Sequence, residues 1–221
     1  MDDIAPNDMT LDELRLALAP LIPAHAVFDG WSDEALAMAA AEIGVPAPRA
    51  RLAFPGGAPD MIDGWFDAID RAMARAFPLE KIERMKIRQR IRDLVMYRLE
   101  IATPHKEALR RALAILAQPQ NVALALRLNW RAVDRMWRIA GDTATDFNHY
   151  SKRTILLGVY ASSVLVYLDD SSEDLADTRA FLDRRIDNVM QIEKVKASWR
   201  RGRERVPSLS RFLGRLRYPA V

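Results

Sequence analysis

The chain has 221 residues, half of them apolar and 29% charged, which suits a substantial buried core and excludes a disordered or fibrous protein. Cysteine is absent, so there is no disulfide framework, no thiolate zinc site and no thiol nucleophile, and a cytoplasmic address is expected. The net charge of +3 conceals a gradient: residues 1–80 carry fourteen acidic and five basic side chains (net −9), residues 81–193 are net +4, and residues 194–221 carry nine basic side chains against Glu204 alone (net +8). Such a gradient points to three different tasks along the chain, because net charge governs attraction to anionic partners rather than fold. The first twenty residues include Asp2, Asp3, Asp8, Asp12 and Glu13 and open without a basic stretch, which argues against a secretory signal or an Arg-rich transit peptide.

Helical periodicity runs through nearly the whole sequence and no segment alternates as a strand, so the expected class is all-α. Residues 11–19 read as a short helix. Ser32 is placed to N-cap a second helix, with Asp33 and Glu34 in its first turn, and Gly44 to terminate it. A stretch dense in Pro and Gly, VPAPRARLAFPGGAP, leaves room for a short helical turn over 49–54 and then a loop. Further helices are expected near 59–77, 79–102, 105–116, 119–139, 144–168 and 173–205. In the 79–102 segment Ile91, Leu94, Val95, Leu99 and Ala102 share one face, the mark of an amphipathic helix laid on a core.

The opening order is a helix, a loop at 28–31, a helix ending at Gly44, a turn led by Val45 and a short helix. It is that of a helix-turn-helix, and with longer helices following it is similar to TetR-type regulators. The corresponding function would be a ligand-responsive DNA-binding regulator. Charge argues against it, since DNA affinity grows with the number of phosphates neutralised by Lys or Arg. The segment in the reading position offers only Arg49 and Arg51, beside Asp60, Asp63 and Asp67. A retained fold that no longer touches nucleic acid is the favoured reading. The expected organisation is a degenerate helix-turn-helix module at 1–77, a helical ligand-binding and dimerisation domain at 78–195, and a basic amphipathic tail at 196–221.

Residues 154–168 are apolar nearly all round, yet fall short of the roughly 20 residues a membrane span needs, and Asp169 and Asp170 close them. Two readings stand. One is ordinary core packing. In the other, Gly158, Ala161, Ser162 and Ser163 leave space, so that Trp130, Trp137, Tyr160 and Val164, with Leu94 and Leu99 from the 86–102 helix, line a lipid cavity. Catalysis finds little support. None of the three histidines, His25, His105 and His149, sits in a di-iron or zinc-protease pattern, and Gly56-Gly57 is only a turn. The acidic run 169–173 resembles a single magnesium box of prenyl synthases, but a helix stop with an N-cap at Ser171 or Ser172 explains it better. Neither metal nor cofactor is expected.

The richest stretch is MWRIAGDTATDFNHYSKR at 136–153. Gly141 is placed as a helix C-cap residue, and Asp142 or Thr143 as the cap of the next helix. Capping does not require Met136, Ile139, Phe147, His149 and Tyr150. Apolar and aromatic anchors with flanking charge are what partner interfaces favour, so Met136, Ile139, Asp146, His149, Tyr150 and Arg153 form a candidate docking set. Together with Asp170–Ser172 and the Asp177-Thr178…Phe181-Leu182 helix, this run resembles the Coq-nine family of ubiquinone-biosynthesis accessory proteins. The shared elements are Trp137, Ala140, Gly141, Asp142, the Thr-Asp-Phe-Asn of 145–148, Tyr150, Lys152 and Arg153; His149 stands where many members carry Trp. The resemblance implies a protein without chemistry of its own that binds an isoprenoid or quinone-intermediate lipid in its helical domain. It also implies that the 136–150 junction docks the membrane-associated di-iron hydroxylase of ubiquinone biosynthesis. A homodimer follows by analogy with the TetR-like fold, with 144–168 and 173–195 as the bundle surface.

In the tail, Lys194, Lys196, Arg200, Arg201, Arg203 and Arg205 lead into SLSRFLGRLRYP, where Leu209, Phe212, Leu213 and Leu216 share one helical face. Burying those four side chains contributes at most about 6–10 kcal/mol gross, and each Arg near an anionic leaflet about 1 kcal/mol. That suffices for reversible attachment to an anionic membrane surface, giving a cytoplasmic protein held peripherally at the inner membrane. Folding back on the protein's own core is the other reading.

Overall fold

A computed structural model describes residues 8–204 apart from 144 and 146, and the side chains among them apart from 147, 148 and 192–204. Every regular element among the described residues is helical. The first helix, α1 (Leu11–Leu18), starts on a capping box in which the Glu13 N–H donates to Thr10 Oγ1 at 3.3 Å and the Thr10 N–H to Glu13 Oε2 at 2.8 Å. A helix absent from the sequence reading follows, α2 (Ile22–Asp29), with Pro23 in its first turn. Phe28 therefore belongs to a helix, and the expected loop shrinks to the residues after Asp29. Trp31 turns inward there, 5% exposed, its indole N–H donating to the Ala108 carbonyl at 2.9 Å and its ring 5.4 Å from that of Trp65.

Ser32 caps α3 (Asp33–Glu42) as expected, its hydroxyl accepting the Ala35 N–H. Gly44, with φ near +70°, ends the helix. The Gly44 and Val45 N–H groups close back on the Ala41 and Ala40 carbonyls, a left-handed termination that glycine adopts without Cβ strain. The turn leads into α4 (Ala47–Ala53), so α3 and α4 form the helix-turn-helix pair.

The long helix α5 (Ala58–Ala76) carries Asp63, Asp67 and Asp70 at helical spacing on one face. The segment expected as one helix over 79–102 is two: α6 (Leu79–Glu83) and α7 (Ile87–Ala102). No Pro or Gly marks the break. Arg90 compensates it, donating to the Met85 carbonyl at 2.8 Å and the Glu83 carbonyl at 3.3 Å, and reaching the Ala140 carbonyl at 2.8 Å. The face expected of α7 is buried: Ile91, Leu94, Val95, Leu99 and Ala102 are each at most 7% exposed.

Next come α8 (Lys106–Leu116) and α9 (Val122–Ile139), which a 3-10 turn at Pro119–Asn121 precedes, and then α10 (Phe147–Asp169) and α11 (Ala176–Glu204). α10 packs along both α9 and α11, and α5 lies against α7 and α9. One contiguous apolar cluster runs from Leu14 in α1 to Ile186 in α11. The helix-turn-helix part is thus welded to the rest through Trp31, Trp65 and α8.

Between α10 and α11 the acidic run 169–173 acts as a helix stop. One Asp170 oxygen accepts from the backbone and hydroxyl of Ser172 at 2.8 and 2.5 Å, the other from the backbone and hydroxyl of Thr178 at the same distances. Ser172 Oγ accepts the Asp177 N–H as well, so Asp170 and Ser172 share the cap. Burial alone would raise the Asp170 carboxyl, but these four bonds outweigh it and hold it well below its ordinary value of 3.8.

A carboxyl depressed in the folded state contributes stability that is fully present above its unfolded pKa and is lost as pH falls. Asp170→Asn is expected to cost about 2 kcal/mol at pH 7 and progressively less as the pH falls below the ordinary carboxyl value of 3.8, measured by urea unfolding. A pH-independent difference would remove the ionised cap. Gly141→Ala is expected to destabilise by about 1–2 kcal/mol in the same assay, because Gly141 has φ near +90° and an added Cβ would lie 3.3 Å from Arg90 Nη1. An unchanged midpoint would contradict that constraint.

Candidate functional site

The corner between α9 and α10 is assembled from the signature residues of 136–153. Gly141 ends α9: its N–H donates to the Arg138 carbonyl at 3.0 Å and the Asp142 N–H to the Trp137 carbonyl at 2.9 Å. This Schellman turn delivers the Asp142 carboxylate to Lys152 Nζ at 2.6 Å and Arg153 Nη1 at 3.0 Å. Arg153 is buried, 1% exposed, and spends its other donors on Asp134 Oδ1 at 2.7 Å and the His149 carbonyl at 3.1 Å. The second oxygen of Asp134 takes Arg138 at 2.7 Å. Burial alone would raise the Asp142 carboxyl, yet the hydrogen bonds and charges of Lys152 and Arg153 hold it below its ordinary value.

That ionic frame displays aromatic surface. Tyr150 is 60% exposed, its ring stacked on Trp130 with centroids 6.2 Å apart, and His149 meets Tyr150 edge-on at 5.1 Å. Trp137 is fixed beside them, its indole N–H donating to the Lys152 carbonyl at 3.1 Å and the Lys152 ammonium 5.5 Å from its ring. Along α9, Val122 and Leu126 are exposed at 47% and 62% and share a stripe with Trp130 at spacings of four. The sequence reading missed these two, although the spacing was visible. Arg127 and Arg138 flank the stripe, each about 70% exposed.

Two members of the expected docking set lie elsewhere. Met136 is fully buried in the core and Arg153 is buried in its carboxylate clamp, so neither touches a partner; Arg153 acts on the surface only through the residues it holds. Ile139 is half-buried, and Asp146 lies outside the described residues. The expected lipid set is divided. Leu94, Leu99 and Val164 are buried in the core that α7 and α10 share, Tyr160 packs against that core from α10, and Trp130 and Trp137 belong to the α9–α10 corner. Gly158 and Ala161 face outward on α10 rather than opening space inside, and the buried Ser163 turns its hydroxyl back to the Val159 carbonyl. None of the six lines the hollow of about 290 Å³ on α11, which Phe181, Arg184, Arg185, Asp187 and Asn188 form. In the expected membrane set, the side chains of Arg200, Arg201 and Arg203, and all of Arg205, Leu209, Phe212, Leu213 and Leu216, lie outside the described residues.

The helix-turn-helix face is committed internally. Arg51 pairs with Asp33 at 3.0 Å, Arg49 donates to the Met9 carbonyl, and Arg15 is held by Asp60 and the Ala53 carbonyl. The guanidinium groups that would meet phosphate thus satisfy the module's own acceptors.

Comparison with known proteins joins these observations. Residues 122–193, which contain the whole corner, match the model of the COQ9 family. The chain is 32% identical over 197 residues to the rat protein (Rattus norvegicus) named ubiquinone biosynthesis protein COQ9, mitochondrial, covering 86% of this chain and 62% of that one. It is likewise 32% identical over 198 residues to the human protein of that name, covering 86% of this chain and 61% of the relative. It therefore spans about three fifths of the length of the curated relatives it matches. Among solved structures, a TetR transcriptional regulator from Nitrosomonas europaea superimposes with a TM-score of 0.64 at 22% identity, covering 79% of this chain and 96% of that one. The fold is thus the TetR-like helical fold, and the chain belongs to the COQ9 family.

Proposed function

We propose that the chain is a non-catalytic accessory protein of ubiquinone (coenzyme Q) biosynthesis. It takes up an isoprenoid or quinone-intermediate lipid among its C-terminal helices and presents it to a membrane-associated di-iron hydroxylase docked on the α9–α10 corner. The observation that carries this reading is Tyr150 held 60% exposed over Trp130 by a buried ionic frame of family-signature residues. A rigid aromatic anchor loses little conformational entropy on docking and is the type of residue that dominates interface energies. The names of the relatives support the pathway.

The 1–77 module serves as scaffold in this reading. Its engaged Arg49 and Arg51 weigh against a TetR-type DNA-binding regulator. No described helix is long and apolar enough to cross a membrane. The basic amphipathic segment of 196–221 supplies peripheral attachment to an anionic membrane surface, and the relatives' names place those proteins in mitochondria. A second copy of the chain covers the outer face of α10, where Thr154, Gly158, Ala161 and Leu165 recur at helical spacing and Leu165 is 67% exposed.

Tyr150→Ala is expected to weaken hydroxylase binding at least about 30-fold while leaving the bound lipid and the unfolding midpoint unchanged. An unaltered affinity in a co-purification titration would sink the docking surface. Leu165→Glu is expected to turn a dimer into a folded monomer by light scattering; a persistent dimer would mean that copies meet elsewhere.

A further inference from the structure

Most arginine and lysine side chains of this fold are committed to carboxylates, carbonyls or rings. Among the described residues, the cationic side chains without such a partner are those of Arg75, Arg84, Lys86 and Arg184. Two of the four stand at the break between α6 and α7. From Pro78 to Gln89 only Ile82 is buried and Met85 half-buried, while Leu79 and Ile87 are exposed at 61% and 44%. Lys81 folds back on the Ala76 carbonyl at 3.0 Å, so Arg75 at the end of α5 lies beside this strip. Residues 75–89 carry five basic side chains against Glu80 and Glu83, net +3. A single exposed apolar side chain needs no explanation, but exposed apolar and uncommitted cationic side chains interleaved on a strip that one residue anchors do.

The position of the strip narrows what covers it. Arg88 pairs with Asp187 at 2.8 Å and Arg92 with Asp183 at 2.7 Å, so α11 runs antiparallel to α7 and passes the strip as it continues to Glu204, about 25 Å beyond Asp187. The basic residues 205–221 therefore begin beyond the end of the fold that bears the strip. Two cationic surfaces repel, so the tail is a poor cover for it; charge matches both to the same occupant, an extended anionic sheet. On its other flank, Arg90 joins the strip to the α9–α10 corner through the Ala140 carbonyl at 2.8 Å.

We infer that the α6–α7 strip, through Leu79, Arg84, Lys86 and Ile87, is a second contact with an anionic membrane surface. Leu79 and Ile87 enter the head-group layer, and Arg84 and Lys86 meet the lipid phosphates beside them. This rests on the proposed peripheral attachment through 196–221 and adds a second point to it. One point leaves a protein free to turn on the leaflet. Two points, joined by the packing of α11 on α7, fix which side faces the lipid, and Arg90 brings the α9–α10 corner to that side.

The chain has no cysteine, so one introduced thiol is its sole labelling site. Full-length Ile87→Cys carrying a polarity-sensitive fluorophore is titrated with vesicles of phosphatidylglycerol and phosphatidylcholine. Its emission is expected to shift to the blue, while the same label on Leu52→Cys, at a position 63% exposed on α4, is expected not to shift. Arg84→Glu combined with Lys86→Glu in the full chain is expected to weaken binding to these vesicles about tenfold with an unchanged unfolding midpoint. Vesicle binding without a shift at position 87, an equal shift at position 52, or full affinity in the charge-reversed chain overturns the second contact and leaves attachment by the tail standing. A full chain that binds no anionic vesicles overturns the attachment reading itself, and this inference with it.

Discussion

The buried guanidinium of Arg153 fixes the α9–α10 corner on which the exposed site depends. Withdrawing a charge from water costs several kcal/mol, and only close, well-directed partners offset that cost. Here the partners are the Asp134 and Asp142 carboxylates and the His149 carbonyl, with Arg138 and Lys152 closing the outer sides of the two acids. Apolar side chains of equal volume would fill the same space, but they would not impose one orientation. The directional bonds do so: they fix the first turns of α10, in which Tyr150 stacks on Trp130 and stays 60% exposed. The family signature therefore divides into residues that build the frame, Gly141, Asp142, Lys152 and Arg153, and a residue that the frame displays, Tyr150.

A second set of ion pairs joins the N-terminal part of this TetR-like fold to the helices that follow it. The acidic excess of residues 1–80 is partly spent against the arginines of later helices. Asp63 takes Arg131 at 2.6 Å and Arg127 at 3.6 Å, Asp67 takes Arg135 at 3.2 Å, and Asp70 takes Arg98. Three of the fourteen acidic side chains thus meet arginines of later helices, and that part of the charge gradient is the imprint of contacts between the two halves of the fold. The same pairs bind α5, the helix that follows the helix-turn-helix, to α7 and α9. In the reading helix α4, meanwhile, Arg49 donates to the Met9 carbonyl and Arg51 pairs with Asp33.

Features that depend on local backbone physics were legible in the sequence. Gly44 and Gly141 occupy left-handed terminations, Ser32 caps α3, and the buried face of α7 follows its periodicity. Features set by distant partners were not. The break at 84–86 carries no Pro or Gly and exists because Arg90 satisfies carbonyls of α6 and α9 together. α2 is apolar almost throughout, so it lacks the polar stripe that reveals an amphipathic helix. Met136 and Arg153 look like surface anchors in sequence because neither charge nor polarizability states on which side of a helix a residue lies. For Arg153 the decisive signal is the pair of carboxylates at 134 and 142, close in sequence but brought to one point only by the turn at Gly141.

α10 brings three of these surfaces onto one helix. Its inner side, with Leu156, Val159, Ser163 and Tyr167, is core; its N-terminal turn carries Tyr150; its outer side carries Gly158, Ala161 and Leu165. Tyr150 and Leu165 are fifteen residues apart, or about 22 Å along the helix axis. The proposed docking and self-association surfaces are thus successive stretches of α10. Between them, the Tyr160 hydroxyl accepts from Arg98 and ties α10 to α7. Because Tyr150 lies one turn before Thr154 and continues its exposed stripe with Gly158, Ala161 and Leu165, the two proposed surfaces share one face of a helix whose opposite side is locked in the core.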